Sequence, residues 1–134
     1  MRSRRSLIDY SLARRATLAR LTSGQLTPRD ACDAQPYLLR AAKYHGDPTS
    51  ELCPVCRRTP LTDVTYTYGD ELGADSGRAR RTRELPALEA SYAQFTVYVV
   101  EVCRDCGWNH LKTSYLLGSA APRSGSRRRR AAQT

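Results

Sequence analysis

"FTVYVVEVCRDCGWNHLKTSYLLG", residues 95–118, decides how the chain folds on paper. Its first eight residues are mostly β-branched or aromatic, side chains that suit a pleated, half-buried surface. The last nine, "HLKTSYLLG" (110–118), read as another strand. Between them stand Cys103 and Cys106, then Gly107, Trp108 and His110. Two strands joined by a CxxC turn make a hairpin with two thiols at its tip. Gly107, directly after the second cysteine, can take the positive φ that such a turn needs.

A second pair, Cys53 and Cys56 in "CPVC", lies upstream and precedes "LTDVTYTYG" (61–69), a period-two stretch that ends at Gly69. In each pair, backbone N–H groups after the first cysteine point at its sulfur and offset its charge. Pro54 favours the tight turn. Two such knuckles supply four sulfurs, the number that fills a tetrahedral zinc shell. The 46 residues between the pairs exceed the usual zinc-ribbon interval. The extra loop entropy over an interval of ~18 residues is about 0.8 kcal/mol. A structural zinc contributes on the order of 10 kcal/mol, so the long interval does not forbid one shared site. The expected cofactor is therefore one structural Zn2+ held by Cys53, Cys56, Cys103 and Cys106. The other readings are a disulfide framework, disfavoured in a reducing compartment, a thioredoxin-like dithiol, which uses one CxxC at a helix start, and an iron–sulfur cluster. Four thiolates leave no open position for water or substrate, so catalytic zinc is not expected. Trp108 is expected to cover the knuckle, Cys32 to pack as a small apolar residue, and His45 and His110 to stand outside the ligand set.

The first third reads as helical. Residues 6–22, "SLIDYSLARRATLARLT", place Ile8, Leu12, Ala16 and Ala19 on one stripe, widened by Leu7, Leu18 and Leu21. Ser23-Gly24 ends it. Thr27, Pro28 and Asp30 mark a second helix start, and "PYLLRAAKYHG" (36–46) runs from Pro to Gly as a third. A helix-turn-helix is one interpretation, but ordinary bundle packing explains the same pattern. "DELGADSGRARRTR" (70–83) reads as a polar loop, and "ELPALEASYAQ" (84–94) as a short helix. The sum is an α+β chain. A helical N-terminal region spans residues 1–48. A three-stranded antiparallel zinc ribbon with an inserted short helix spans 49–118, in the same compact unit. A disordered Arg-rich tail spans 119–134.

The chain carries 134 residues and a formal charge of +9, unevenly placed. Residues 1–40 hold eight arginines against three acids, and residues 123–134 hold five arginines and no acid. Residues 41–122 hold nine basic residues against ten acids. Both ends are basic and the middle is neutral, which points to anionic partners held by the ends. Arg4, Arg5, Arg14 and Arg15 from the first helix, with Arg127, Arg128, Arg129 and Arg130 from the tail, are the candidate phosphate contacts. No window reaches the apolar length of a membrane span. The basic start lacks an apolar core, so no secretory signal is expected and the cytoplasm is the expected compartment.

"CPVC…CRDCGWNHL" on β-patterned stretches resembles the zinc-ribbon superfamily over about residues 50–118. Members of that superfamily bind DNA or RNA, dock on RNA polymerase or ribosomes, or are purely structural. With "SLIDYSLARR", "CDAQPYLLRAAKYHG" and "VVEVCRDCGWNHL", the chain also resembles a small actinobacterial family of unknown function over residues 1–118. That resemblance implies a cytosolic zinc-ribbon-like protein with the four cysteines as ligands and no catalytic residue. The expected function is a non-enzymatic adaptor for nucleic acid or for a machine such as RNA polymerase or the ribosome, with no small-molecule substrate. The alternative is a protein–protein interaction module with structural zinc and no nucleic-acid contact.

Overall fold

The computed structural model describes residues 4–120. Its centre is a six-stranded antiparallel sheet: β1 (Arg5–Asp9), β2 (Asp47–Leu52), β3 (Pro60–Tyr68), β4 (Arg78–Arg80), β5 (Phe95–Val102) and β6 (Asn109–Leu117). The strand order is β1-β6-β5-β3-β2, with β4 also paired to β3. Four α-helices among the described residues attach to it: α1 (Ser11–Thr22), α2 (Pro28–Ala31), α3 (Pro36–His45) and α4 (Leu85–Ser91).

The expected three-stranded ribbon behind a helical segment is therefore wrong. Its three strands exist as β3, β5 and β6, but the sheet has twice that number, and the helical region opens with a strand. Residues 6–9, expected at the start of a helical stripe, instead belong to β1, which pairs with β6 through Arg5↔Leu116, Ile8↔Ser114 and Asp9↔Thr113. The cause is non-local. Without β1, β6 would present an open row of N–H and C=O groups along its edge. The helix then starts late, at Ser11, whose N–H donates to the Asp9 carboxylate at 2.8 Å. A bulge helps: Val99↔Thr113 is followed by Val100↔Leu111, so Lys112 is the extra residue of β6. Its carbonyl accepts from the Tyr10 N–H at 2.9 Å, and its ammonium reaches Asp63 at 3.0 Å. The apolar stripe expected on α1 is turned outward, with Leu12 72% exposed, while Leu18 and Leu21 face inward.

The segments of β2 and β4 have the sequence pattern of a linker and a polar loop. They share one edge of β3, β2 beside Pro60–Asp63 and β4 beside Thr65–Thr67. Neither has an apolar face, so neither shows strand periodicity. Pro48 is tolerated because β2 is an edge strand. Arg81 ties this edge to α3 by donating to the carbonyls of Gly46 and Tyr44 at 2.9 and 3.0 Å, groups that a helix end otherwise leaves unpaired. The other helices read from sequence lie where expected. Thr27 caps α2 by accepting the Asp30 N–H at 3.2 Å.

Apolar side chains gather in three places. Leu72, Leu85, Phe95, Val97, Tyr115 and Leu117 fill one end of the sheet. Leu38 and Ala42 of α3, four residues apart on one helix face, close on Val64 and Val102. Ala31, Leu61 and Trp108 surround Cys53 and Cys103 at the knuckle end.

Candidate metal centre

The two CxxC segments form the β2–β3 and β5–β6 turns, and they are built alike. In the first, the Cys53 N–H donates to the Thr59 carbonyl at 2.9 Å, and the Arg57 N–H donates to the Cys53 carbonyl at 3.0 Å. In the second, the Cys103 N–H donates to the Trp108 carbonyl at 2.8 Å, and the Gly107 N–H donates to the Cys103 carbonyl at 3.0 Å. The residue after each second cysteine is left-handed: Arg57 at φ 58° and Gly107 at φ 92°. Gly107 is needed for a further reason. A Cβ there would stand 3.0 Å from the Cys32 carbonyl oxygen. Backbone N–H groups also aim at sulfur, Val55 at Cys53 Sγ (3.4 Å) and Cys106 at Cys103 Sγ (3.3 Å).

Adjacent placement of β3 and β5 brings both turns to the same end of the sheet. The four Sγ atoms of Cys53, Cys56, Cys103 and Cys106 all lie within 4.8 Å of one another. Across the two turns, Cys53–Cys106 and Cys56–Cys103 are each 3.7 Å apart. A tetrahedral ion with bonds of about 2.3 Å sets its sulfurs about 3.8 Å apart, so the spacing fits one central ion. It is far too long for disulfides, which need about 2.05 Å. Burial pushes the Cys53 and Cys106 thiols up to about 12. The Arg58 backbone N–H pulls Cys56 down to about 6. The four sulfurs can hold a metal ion.

Trp108 is 1% exposed and packs in the cysteine cluster, the role expected of it. Its indole N–H donates to Glu101 Oε2 at 2.8 Å, and Arg14 Nε donates to the same oxygen at 2.7 Å. Glu101 is 1% exposed. Sequence reasoning misses this three-residue network. The available signal is a lone acid inside the apolar run "YVVEVC", since a buried carboxylate must be paired. Cys32 ends α2 half-buried in the same cluster, as a packed residue should, but its thiol reaches Cys106 Sγ at 3.5 Å. His110 stacks on Trp108, and its Nδ1 lies 2.8 Å from the Leu111 carbonyl. Neither His110 nor His45 belongs to the sulfur cluster.

The N-terminal arginines are dispersed. Arg14 is held by Glu101, Arg4 lies 4.5 Å over the Tyr115 ring, Arg5 reaches Gln94 at 3.4 Å, and Arg15 is exposed on α1. Arg127, Arg128, Arg129 and Arg130 lie outside the described residues. So does most of the expected tail, although Ser119 and Ala120 donate to the carbonyls of Tyr92 and Ala93. No helix among the described residues is long and apolar enough to cross a membrane.

Among known proteins, the chain is similar to the uncharacterized proteins Rv0049 of Mycobacterium tuberculosis and Mb0050 of Mycobacterium bovis. Each is 52% identical over 115 residues, which is 86% of this chain and 84% of the relative. No solved structure matches. The resemblance to an actinobacterial family of unknown function thus holds, while the matching family's description carries no zinc-ribbon assignment. The chain belongs to DUF5318, a family of unknown function that it matches over residues 1–132.

Proposed function

We propose that this chain is a non-enzymatic zinc protein whose one structural Zn2+, held by Cys53, Cys56, Cys103 and Cys106, fixes a surface that docks on nucleic acid or on a nucleoprotein machine. The observation that carries the zinc is the pair of 3.7 Å sulfur contacts across the two turns, the spacing of a single tetrahedral ion. An all-sulfur ligand set favours zinc or iron–sulfur chemistry over magnesium or calcium. A cluster with bridging sulfides would spread its ligands wider than one central ion does. Four thiolates fill the shell, and a filled shell has no place for a reacting water.

Metal analysis of the purified protein tests this directly. One zinc per chain, with no iron or acid-labile sulfide, is expected; a chain that folds fully without metal overturns the reading. The charge of +9, carried mainly by the two ends, supports a polyanionic partner. Binding to RNA and DNA should weaken steeply between about 50 and 200 mM salt. One observation favours the second reading, a protein-docking module. Leu7 and Ile8 of β1 and Leu12 of α1 are 55%, 51% and 72% exposed, large apolar side chains of the kind a protein partner covers. A partner captured by wild type and lost on Leu12→Asp, with no binding to either nucleic acid, would establish that reading instead.

A further inference from the structure

We propose that the groove between α3 and the open part of the sheet binds single-stranded nucleic acid, with bases stacked on tyrosines and phosphates held by arginines. This rests on the nucleic-acid reading above and gives it a surface. α3 packs on its sheet face over Val64 and Val102, with Tyr66, Ala79 and Val100 partly buried at the margin of that contact. Beside it lies a groove of about 560 Å3 lined by Tyr37, Tyr66, Tyr68, Tyr98 and Leu111, among others. Tyr37 is 61% exposed and Tyr68 45%. The Tyr68 and Tyr98 rings meet edge to face at 5.5 Å, which fixes their planes before any ligand arrives. The Tyr66 hydroxyl is buried without a hydrogen-bond partner among the described residues. Exposed, pre-oriented rings on an antiparallel sheet are stacking platforms, and stacking needs bases that are not already paired.

The groove continues past Tyr37 and Tyr66 into a hollow of about 370 Å3 lined by Arg40, Tyr44, His45 and Arg78. Arg40 and Tyr44 lead on to a third of about 340 Å3, lined also by Lys43 and Arg104. Among the described residues, no acid lines any of the three. Residues 41–122 hold ten acids against nine basic residues, so this is sorted charge rather than average composition. Arg78 pairs with Asp75 at 2.9 Å, but Arg40 and Arg104 have no ion-pair or hydrogen-bond partner among the described residues. An aromatic compartment running into an acid-free cationic one matches a strand that carries bases on one side and phosphates on the other. A peptide partner would meet the same rings but offers Arg40, Lys43 and Arg104 a repeating anion only where it is rich in acids, whereas every nucleotide carries one.

The test uses the zinc-loaded full chain and fluorescent oligonucleotides of about 12 nucleotides. RNA and DNA single strands of one sequence, and the corresponding duplex, are titrated by anisotropy. Single strands should bind more tightly than duplex, and the RNA and DNA arms show whether the sugar hydroxyl is read. Tyr37→Ala and Tyr68→Ala should each weaken binding about five-fold or more, while Tyr37→Phe and Tyr68→Phe stay near wild type. Arg40→Gln with Arg104→Gln should lower the salt slope by about 0.7 for each phosphate that is no longer neutralised. Zinc content and circular dichroism check the fold. The substituted positions are solvent-accessible, and the arginine pair carries the test if a tyrosine variant misfolds. Binding by the chain that none of these variants alters overturns the groove and leaves the nucleic-acid reading to another surface. No binding to any strand, or binding to a protein alone, overturns both.

Discussion

Glu101 is a buried carboxylate beside the cysteine cluster. A carboxylate 1% exposed is costly unless its charge is met. One oxygen accepts both the Arg14 guanidinium and the Trp108 indole, so a single atom links α1, β5 and the knuckle. Glu101→Ala strands both donors and should cost about 3 kcal/mol in chemical denaturation of the protein. Glu101→Gln keeps an acceptor and should cost about 1–2 kcal/mol. Equal losses for the two would mean that the charge, and not the hydrogen bonding, is what matters. Cys32 offers a second contrast at this scale. Its sulfur sits 3.5 Å from Cys106 but outside the cluster of four. Cys32→Ser should retain one metal ion per chain, whereas Cys103→Ser should lose it, as read by elemental analysis after gel filtration.

The knuckle is the element whose chemistry is most legible from sequence. Its demands are local: two thiols, a tight turn, and a left-handed residue after the second cysteine. Gly107 meets that demand with no Cβ, and a Cβ would press on the Cys32 carbonyl. Gly107→Ala should therefore destabilise the protein by about 1–2 kcal/mol and weaken metal binding. Arg57 meets the same demand at φ 58° with a side chain. Arg57→Gly relieves that strain while loosening the unfolded chain, so the two effects roughly offset, and thermal denaturation should move by less than the Gly107→Ala shift and in no fixed direction. β1, β2 and β4 are illegible for the opposite reason. "RSLID", "DPTSEL" and "RAR" have no buried face to impose a period of two. Their strand character comes from backbone groups of β6 and β3, outside the segments themselves.

At the scale of the molecule, the cysteine cluster and the sheet's other core are separate apolar groups. Leu18, Leu21 and Leu26 of the N-terminal region pack against the cysteine cluster, while Phe95, Val97 and Tyr115 form a separate core toward the other end of the sheet. Chelation should therefore release the knuckle end first. Hydrogen exchange should show early loss of protection at the amides of Cys53 and Cys103, with Val97 and Tyr115 protected longer. The pH dependence of metal affinity has a definite sign. Cys53 and Cys106, raised to about 12, must each give up a proton to the solvent when metal binds near neutrality. Affinity then rises by about tenfold per pH unit for each proton displaced, so by at least about 100-fold between pH 7 and 8. Below about 6 the Cys56 proton joins the competition and the slope steepens. Competition with a chromogenic chelator at several pH values measures this. A flat profile would mean that the thiols are already ionised in the free protein.

The sequence by itself determined the four cysteines, both turns that hold them, and the strands β3, β5 and β6. Each of these is specified by residues adjacent in the chain, through spacing, turn geometry and side-chain alternation. Only the tertiary structure decided the rest. It drew residues 6–9 from a helical stripe into a strand, doubled the number of strands, set Arg14 on Glu101 and brought Cys32 to Cys106. It also joined Tyr37 on α3 to Tyr66, Tyr68 and Tyr98 on the sheet in one groove. The physical reason is common to all of them. An edge strand, a buried charge and a groove are each completed by groups distant in the chain, and periodicity reports only what a segment does with its own side chains.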